Sequence, residues 1–382
     1  MKICHVTSVH PRYDIRIFEK ECVSLAKNGY ETFLVVNDEQ PDELIKGVSI
    51  VSTGFSPKNR GERFLKSSSK VFKKAVEIDA EIYHLHDPEL LSIVCKLKKL
   101  GKKVIFDAHE DTELQVYDKS WIPTIFRNSV AKGYSMYFRK TVKKLDGIIS
   151  VTPAFVKKFR NYNPNCILVT NYPSLSEDSV SDVTDNSSEG VEYIFFAGNI
   201  SRQWNHELVV KAADKCGVRY RFAGKGDDDY ISEICAVPCA EYLGTISHDQ
   251  VFGYYSKALA GVALLTCSQV GDEGTLGNTK LFEIMQAGIP VICTGFRLWK
   301  EIIDTYKCGL SVNQNNPNEI VAAIKRLQGN SQLAKELGRN GKKAVNEVFN
   351  WKTQEKELVK FYQELSLDNI VEGDCNNGKE DY

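Results

Sequence analysis

No stretch of this chain stays apolar for anything near the roughly 20 residues that a membrane-crossing helix needs. Its start runs from Met1-Lys2 through a few apolar residues into Ser8 and His10, which is not the pattern of a signal peptide. An excess of either charge is also missing. With 49 Lys+Arg against 50 Asp+Glu the formal net charge is -1, so the basic balance of a nucleic-acid binder is excluded. No predicted strand is followed by a full Gly-x-Gly-x-x-Gly fingerprint, which disfavours an NAD dehydrogenase. No Ser or Cys nucleophile motif is present, and no repeat of solenoid period. The eleven cysteines are odd in number and scattered, many of them in apolar strands, which points to reduced thiols in the cytoplasm. Cys235 and Cys239 stand as CAVPC, but no second pair follows at ligand spacing, so no zinc site is expected there.

What is present is an α/β rhythm, told twice. The length of 382 residues suits two domains with sizeable cores. Buried strands are expected at 3–7, 32–36, 82–86, 103–106, 147–151 and 166–170, separated by helical patterns, and again at 193–197, 220–223 and 260–265. Between the two sets lies SLSEDSVSDVTDNSSEG, acidic, serine-rich and without one basic residue, which is expected to be a linker or mobile loop over 174–190.

The stretch GDEGTLGNTKLFEIMQAGIPVICTGFRLWKEIID, residues 271–304, carries the most chemistry. Gly271, Gly274 and Gly277 precede Asn278 and Thr279, which can cap a helix from Lys280 that Gly288 and Pro290 stop. Free amides, the helix dipole and Lys280 suit an anionic phosphate. Glu283, one turn on, suits two ribose hydroxyls.

In the first half, polar residues gather where strands end, the edge at which open α/β sheets bind ligands. His10, Asp14 and Arg16 follow the first strand, His86, Asp87 and Glu89 the third, and Asp107, His109, Glu110 and Asp111 the fourth. Hydroxyl recognition fits them better than hydrolysis. Two basic stretches interleaved with aromatics, 54–74 and 121–145, also fall in this half and suit an anionic membrane surface.

Taken together, KICHVTSVHPRYDIRIFEKECVSLAKNGYE, YHLHDPELL, FDAHED, FAGNIS, FAGKGD, YLGTISHDQ and NTKLFEIMQAGIPVICTGFRLWKEII resemble the GT-B retaining glycosyltransferases, the large nucleotide-sugar-dependent family that includes bacterial capsule, O-antigen and exopolysaccharide transferases. The resemblance implies two Rossmann-like α/β domains facing across a cleft. Residues 1–173 would form the acceptor-side domain and 191–351 the nucleotide-sugar domain, with helix 352–366 packing back on the first and 367–382 disordered. It implies a nucleotide diphosphate donor, UDP-linked, a lipid-linked glycan acceptor, transfer with retention and no metal or cofactor. Attachment would be peripheral, to the inner face of the cell membrane. Glu283 matches the second Glu of the family's Glu, seven residues, Glu motif and would hold the ribose. The first falls on Thr275, or on Glu273 if the loop is two residues longer, either one facing the donor sugar. Gly198, Asn278, Thr279 and Lys280 would surround the diphosphate. Asn199 and Trp204 stand where the family tends to carry Arg and Lys, and Arg202 between them is the substitute cation. His109 would face the donor sugar. With Arg202 and Lys280 it makes the expected catalytic set. His10, Asp14, Arg16, His86, Asp87, Glu110 and Asp111 would lie on the acceptor side. A nucleotide-sugar 2-epimerase and a catalytically degenerate GT-B binding subunit remain the alternatives.

Overall fold

A computed structural model describes residues 1–108, 124–175, 192–267 and 271–376. The chain divides into two compact units, Met1–Thr170 with Lys352–Tyr382, and Asn171–Trp351.

The first unit is built on an eight-stranded sheet. Its strands are β1 (Lys2–Val6), β2 (Glu31–Val36), β3 (Glu43–Ile45), β4 (Val48–Ser52), β5 (Ile82–Leu85), β6 (Lys103–Ala108), β7 (Gly147–Ser150) and β8 (Cys166–Leu168), in the order β3-β4-β2-β1-β5-β6-β7-β8. Every pairing is parallel except that of β3 with β4. Parallel strands are covered on both faces, so β1, β5 and β7 are buried almost throughout and read as apolar runs. The hairpin β3–β4 escapes sequence reading. Its turn residues Lys46 and Gly47 both have positive φ, 51° and 80°, as a two-residue hairpin turn requires, but a lysine there is an unusual signal. After β1 the chain runs through a π-helical segment Ile15–Cys22 that continues as the helix Val23–Lys27. The last helix, Trp351–Asn376, extends past the expected end at 366. Its Tyr362 hydroxyl lies 2.8 Å from His84 Nδ1, and Phe361 packs where a side chain on Gly147 would otherwise stand.

The second unit carries a six-stranded parallel sheet of β9 (Tyr193–Ala197), β10 (Arg219–Ala223), β11 (Ala240–Tyr242), β12 (Ala260–Ala263), β13 (Val291–Thr294) and β14 (Gly309–Val312), ordered β11-β10-β9-β12-β13-β14. Phe195, Phe196, Tyr220, Phe222, Phe282 and Trp299 fill its core. Chain order reverses on either side of β9, so the loops leaving β9 and β12 flank the switch point of the sheet.

Candidate functional site

In the second unit, β9 and β10 both end in Phe-Ala-Gly, and the two glycines touch. The Gly198 N–H donates to Ala223 O at 2.9 Å, and the Gly224 N–H to Gly244 O at 2.8 Å. A methyl on Gly224 would overlap Gly198 O, and Gly224 has φ +137°, so glycine is required there. A methyl on Gly198 would overlap Cε of Lys280. The lysine stem therefore lies against the bare backbone at the carboxyl edge of the central strand.

Lys280 opens the helix Lys280–Gln286, whose Leu281, Phe282, Ile284 and Met285 are buried and fix its seat on the sheet. Asn278 Oδ1 accepts the Lys280 N–H at 3.0 Å, so Asn278 supplies the side-chain cap, while Thr279 has none of its own and turns to Glu283. Glu283 Oε1 accepts from Thr279 Oγ1 at 2.6 Å, and Oε2 from Lys280 Nζ at 3.1 Å. Both charged side chains stay partly open to solvent, 17% and 22% exposed. An ammonium and a carboxylate thus stand side by side at the end of β9, over a strip of backbone with no side chain.

The expected sugar-side residues are otherwise engaged. Glu273 is ion-paired with Arg297 across the turn Gly271–Glu273. Thr275 accepts the Gly277 N–H on Oγ1 at 3.1 Å, and its carbonyl accepts Trp299 Nε1 at 2.7 Å. Gly274, at φ +79°, abuts Phe296. Arg202 lies on the surface over the Tyr230 ring, with its guanidinium split between Glu207 at 2.5 Å and Glu233 at 2.7 Å. The structure therefore brings Gly198, Asn278, Thr279, Lys280 and Glu283 together and leaves Arg202 bound to two carboxylates.

In the first unit, His10 stands between Asp14, 3.3 Å from its Nδ1, and Asp87, 3.4 Å from its Nε2. Partial burial opposes protonation of His10, but these carboxylates win and raise its pKa. Asp14 caps the Ile15–Cys22 segment by accepting from the Arg16 and Ile17 amides. Burial works to raise its pKa, yet hydrogen bonds from His10 and those amides hold it down to about 2. Asp87 is buried and accepts from the Thr7 hydroxyl at 2.8 Å and the Ser8 N–H at 2.6 Å. It ties the loop after β1 to the loop after β5.

Arg16 and His86, expected on the acceptor side, are in the interior. Arg16 donates to both oxygens of Asp107, at 2.8 and 3.1 Å, and its Nε lies 3.1 Å from Glu21. His86 packs against His5 and His84 with its Nδ1 3.5 Å from Asp107. Glu21 and His5 had no place in the sequence reading of a site, whereas the alternation in His84-Leu-His86 puts both imidazoles on one face of the strand. His109, Glu110 and Asp111 lie outside the described residues.

Known proteins agree with this architecture. The family described as "Glycosyltransferase Family 4" matches residues 20–170, and that described as "Glycosyl transferases group 1" matches residues 182–344. A relative from Methanocaldococcus jannaschii, described as an uncharacterized glycosyltransferase, is 33% identical over 292 residues, covering 72% of this chain and 71% of its own. Among solved structures, sucrose-phosphate synthase from Thermosynechococcus elongatus superposes with a TM-score of 0.74 at 16% identity, covering 96% of this chain and 100% of that one. HepE of Anabaena, in complex with UDP and glucose, gives 0.66 at 11% identity over 95% of this chain and 100% of its own. Two parallel α/β units in this order, a match to each half and a relative of this identity make the chain a member of the glycosyltransferase family with the GT-B fold.

Proposed function

We propose that the chain transfers a sugar, with retention of configuration, from a UDP-linked donor to a lipid-linked glycan acceptor in cell-surface polysaccharide synthesis. The observation that carries this reading is the placement of Lys280 and Glu283 over the bare backbone of Gly198. Departure of the sugar adds charge to the β-phosphate of an already anionic diphosphate, and a fixed cation in a half-buried site stabilises the more highly charged leaving group more than the bound donor. Lys280 supplies the cation, so the reading needs no metal. Glu283 accepts from Thr279 and Lys280, and a carboxylate with about four acceptor sites can also take ribose hydroxyls. Arg202 joins Lys280 only by exchanging Glu207 and Glu233 for phosphate, which its exposure allows. The complexes of HepE with UDP favour a uridine donor. A thermal-shift panel of UDP-, GDP- and ADP-sugars tests the donor. The UDP-sugar is expected to give the largest shift, and Glu283→Ala to weaken it about tenfold or more in affinity, the scale of two charge-assisted hydrogen bonds. An undiminished shift in Glu283→Ala would move the nucleotide elsewhere. Release of UDP only when a lipid acceptor is added separates transfer from epimerisation and from simple binding.

Membrane attachment belongs to the same proposal. No described helix is long and apolar enough to cross a membrane. The helix Thr124–Val142 exposes Ile125, Phe126, Val130, Met136 and Tyr137 beside the exposed cations Lys132, Arg139 and Lys140. In the other basic stretch, Arg63, Lys66 and Lys74 are matched to Glu89, Glu62 and Glu77, so the longer helix is the stronger candidate. The protein is expected to sediment with anionic vesicles at low salt and to be released as salt rises. The double change Ile125→Ser with Met136→Ser should weaken binding about ten- to a hundredfold, as loss of two buried apolar side chains implies. Recovery of the protein in the supernatant with anionic and neutral vesicles alike would end this part of the proposal.

A further inference from the structure

The interior of the first unit holds a group of side chains that the transfer chemistry does not use. His5 on β1 is in register with His84 on β5, so the two imidazoles rise from the same face of adjacent parallel strands. His86, two residues on, stands on that face as well. Glu21 comes down on them from the Ile15–Cys22 segment. All four are fully or almost fully buried, at a place where a parallel sheet would ordinarily carry Val or Ile.

The donor atoms converge. Glu21 Oε2 lies 3.9 Å from His5 Nδ1, 3.8 Å from His84 Nδ1 and 3.9 Å from His86 Nε2, and His5 Nδ1 is 2.9 Å from His86 Nε2. One ligand atom from each residue fits within 4.8 Å of all the others. A tetrahedral ion with bonds of about 2.0–2.1 Å needs its ligands about 3.3–3.4 Å apart, in the middle of the observed spacings. Glu21 Oε2, on which the three imidazole nitrogens converge, has no hydrogen-bond partner among the described residues, while Oε1 faces Arg16 Nε at 3.1 Å. A buried carboxylate oxygen without a partner is costly, and with three imidazole nitrogens within 4 Å of it one ion can satisfy it where no hydrogen bond does.

We propose that His5, His84, His86 and Glu21 form a buried structural site for a divalent cation of the zinc class. Three neutral imidazoles and one carboxylate are a borderline-soft set that suits Zn2+ or Co2+ and not Ca2+ or Mg2+. The surroundings agree. His86 turns its other nitrogen, Nδ1, toward Asp107 at 3.5 Å, the carboxylate-to-imidazole arrangement that orients a metal-bound histidine. Asp107 is in turn held by Arg16. With neutral imidazoles and Glu21 ionised to ligate, Glu21, Asp107 and Arg16 sum to one negative charge, which the cation offsets. The Tyr362 hydroxyl gives up its hydrogen bond to His84 Nδ1 when that nitrogen turns to the ion. The ion would pin β1, β5 and the segment after β1 together within the first unit, whereas Lys280 and Glu283 belong to the second. The expectation of a metal-free chain is thereby confined to the transfer chemistry.

The test uses the full chain, free of any histidine tag. After growth with added zinc and extensive dialysis, elemental analysis is expected to find about one zinc per chain. Chelator-treated protein should take up about one equivalent of Co2+ and show the intense visible absorption of tetrahedral cobalt, without a thiolate band. Metal removal should lower Tm by about 5 °C or more, and zinc should restore it. His84→Gln should lose the cobalt signal, whereas Cys235→Ser with Cys239→Ser should keep it. If the wild-type chain is folded by circular dichroism yet carries no zinc and takes up no Co2+, the cluster is held together by shared protons and the site is refuted. One equivalent of cobalt retained by His84→Gln refutes it equally. Should His84→Gln fail to fold, the wild-type titration decides alone.

Discussion

Lys280→Ala is expected to lower kcat for sugar transfer by about 100- to 1,000-fold, the range seen when one preorganised donor to a developing oxyanion is removed. The expectation follows from where the ammonium is held. Its stem lies against Gly198, its Nζ donates to Glu283, and the helix that carries it is anchored by four buried apolar side chains. Little rearrangement is then required when charge develops on the leaving phosphate. The fold should tolerate the change, because Lys280 is partly exposed and its ion pair with Glu283 is of a kind that contributes under about 1 kcal/mol. Steady-state kinetics decide the matter. A fall in kcat with kcat/KM falling in parallel marks an interaction made in the transition state, whereas a rise in KM alone marks plain donor binding. Gly198→Ala is the companion experiment. Its added methyl overlaps Lys280 Cε and comes within 3.1 Å of Nζ while removing neither charge, so it should displace the ammonium and reproduce much of the loss. Full activity in both variants would remove Lys280 from the mechanism.

Sequence spacing made Lys280 and Glu283 readable because they share a helix face, three residues apart, and local periodicity needs no knowledge of the fold. The parallel strands were readable for a related reason, since burial on both faces leaves an apolar run. What spacing did not reveal is which distant groups meet. Gly198 meets Lys280 only because β9 lies beside β12 in the sheet order. Arg202 looked like a free cation until Glu207 and Glu233 closed on it. Polar residues at the end of a strand also look alike whether they face solvent or the interior. His10 and Asp87 do lie in the loops beyond the strands, but Arg16 and His86 turn inward, toward partners 91 residues away in one case and 81 in the other. Alternation along a strand gives the face a side chain takes, not its depth.

Arg16→Ala is expected to destabilise the first unit by about 3–5 kcal/mol, the cost of removing one partner from a buried ion pair. Arg16 is 7% exposed and holds Asp107 through two hydrogen bonds while its Nε faces Glu21, so truncation leaves two buried carboxylates without a cation. That cost is a large share of the roughly 5–15 kcal/mol that stabilises a typical domain. It should appear as a lower urea midpoint, measured with chelator present so that no bound ion offsets the lost charge. The pH dependence gives an independent check. Burial first, and Asp107 second, already raise the pKa of Glu21 well above the ordinary carboxylate range. A carboxyl whose folded pKa exceeds its unfolded one stabilises the folded state at low pH and loses that contribution as pH rises through the folded value. Arg16 is what lowers the Glu21 pKa, so its removal raises that value further, and the penalty of Arg16→Ala should be largest near pH 8 and shrink as pH falls toward 5. Replacing Arg16 and Asp107 together by Met and Leu should recover much of the loss, because an apolar pair of similar volume has no charge to desolvate. Had Arg16 served the acceptor, its removal would raise the acceptor KM at unchanged stability, and that result would return it to the surface role its sequence position suggested.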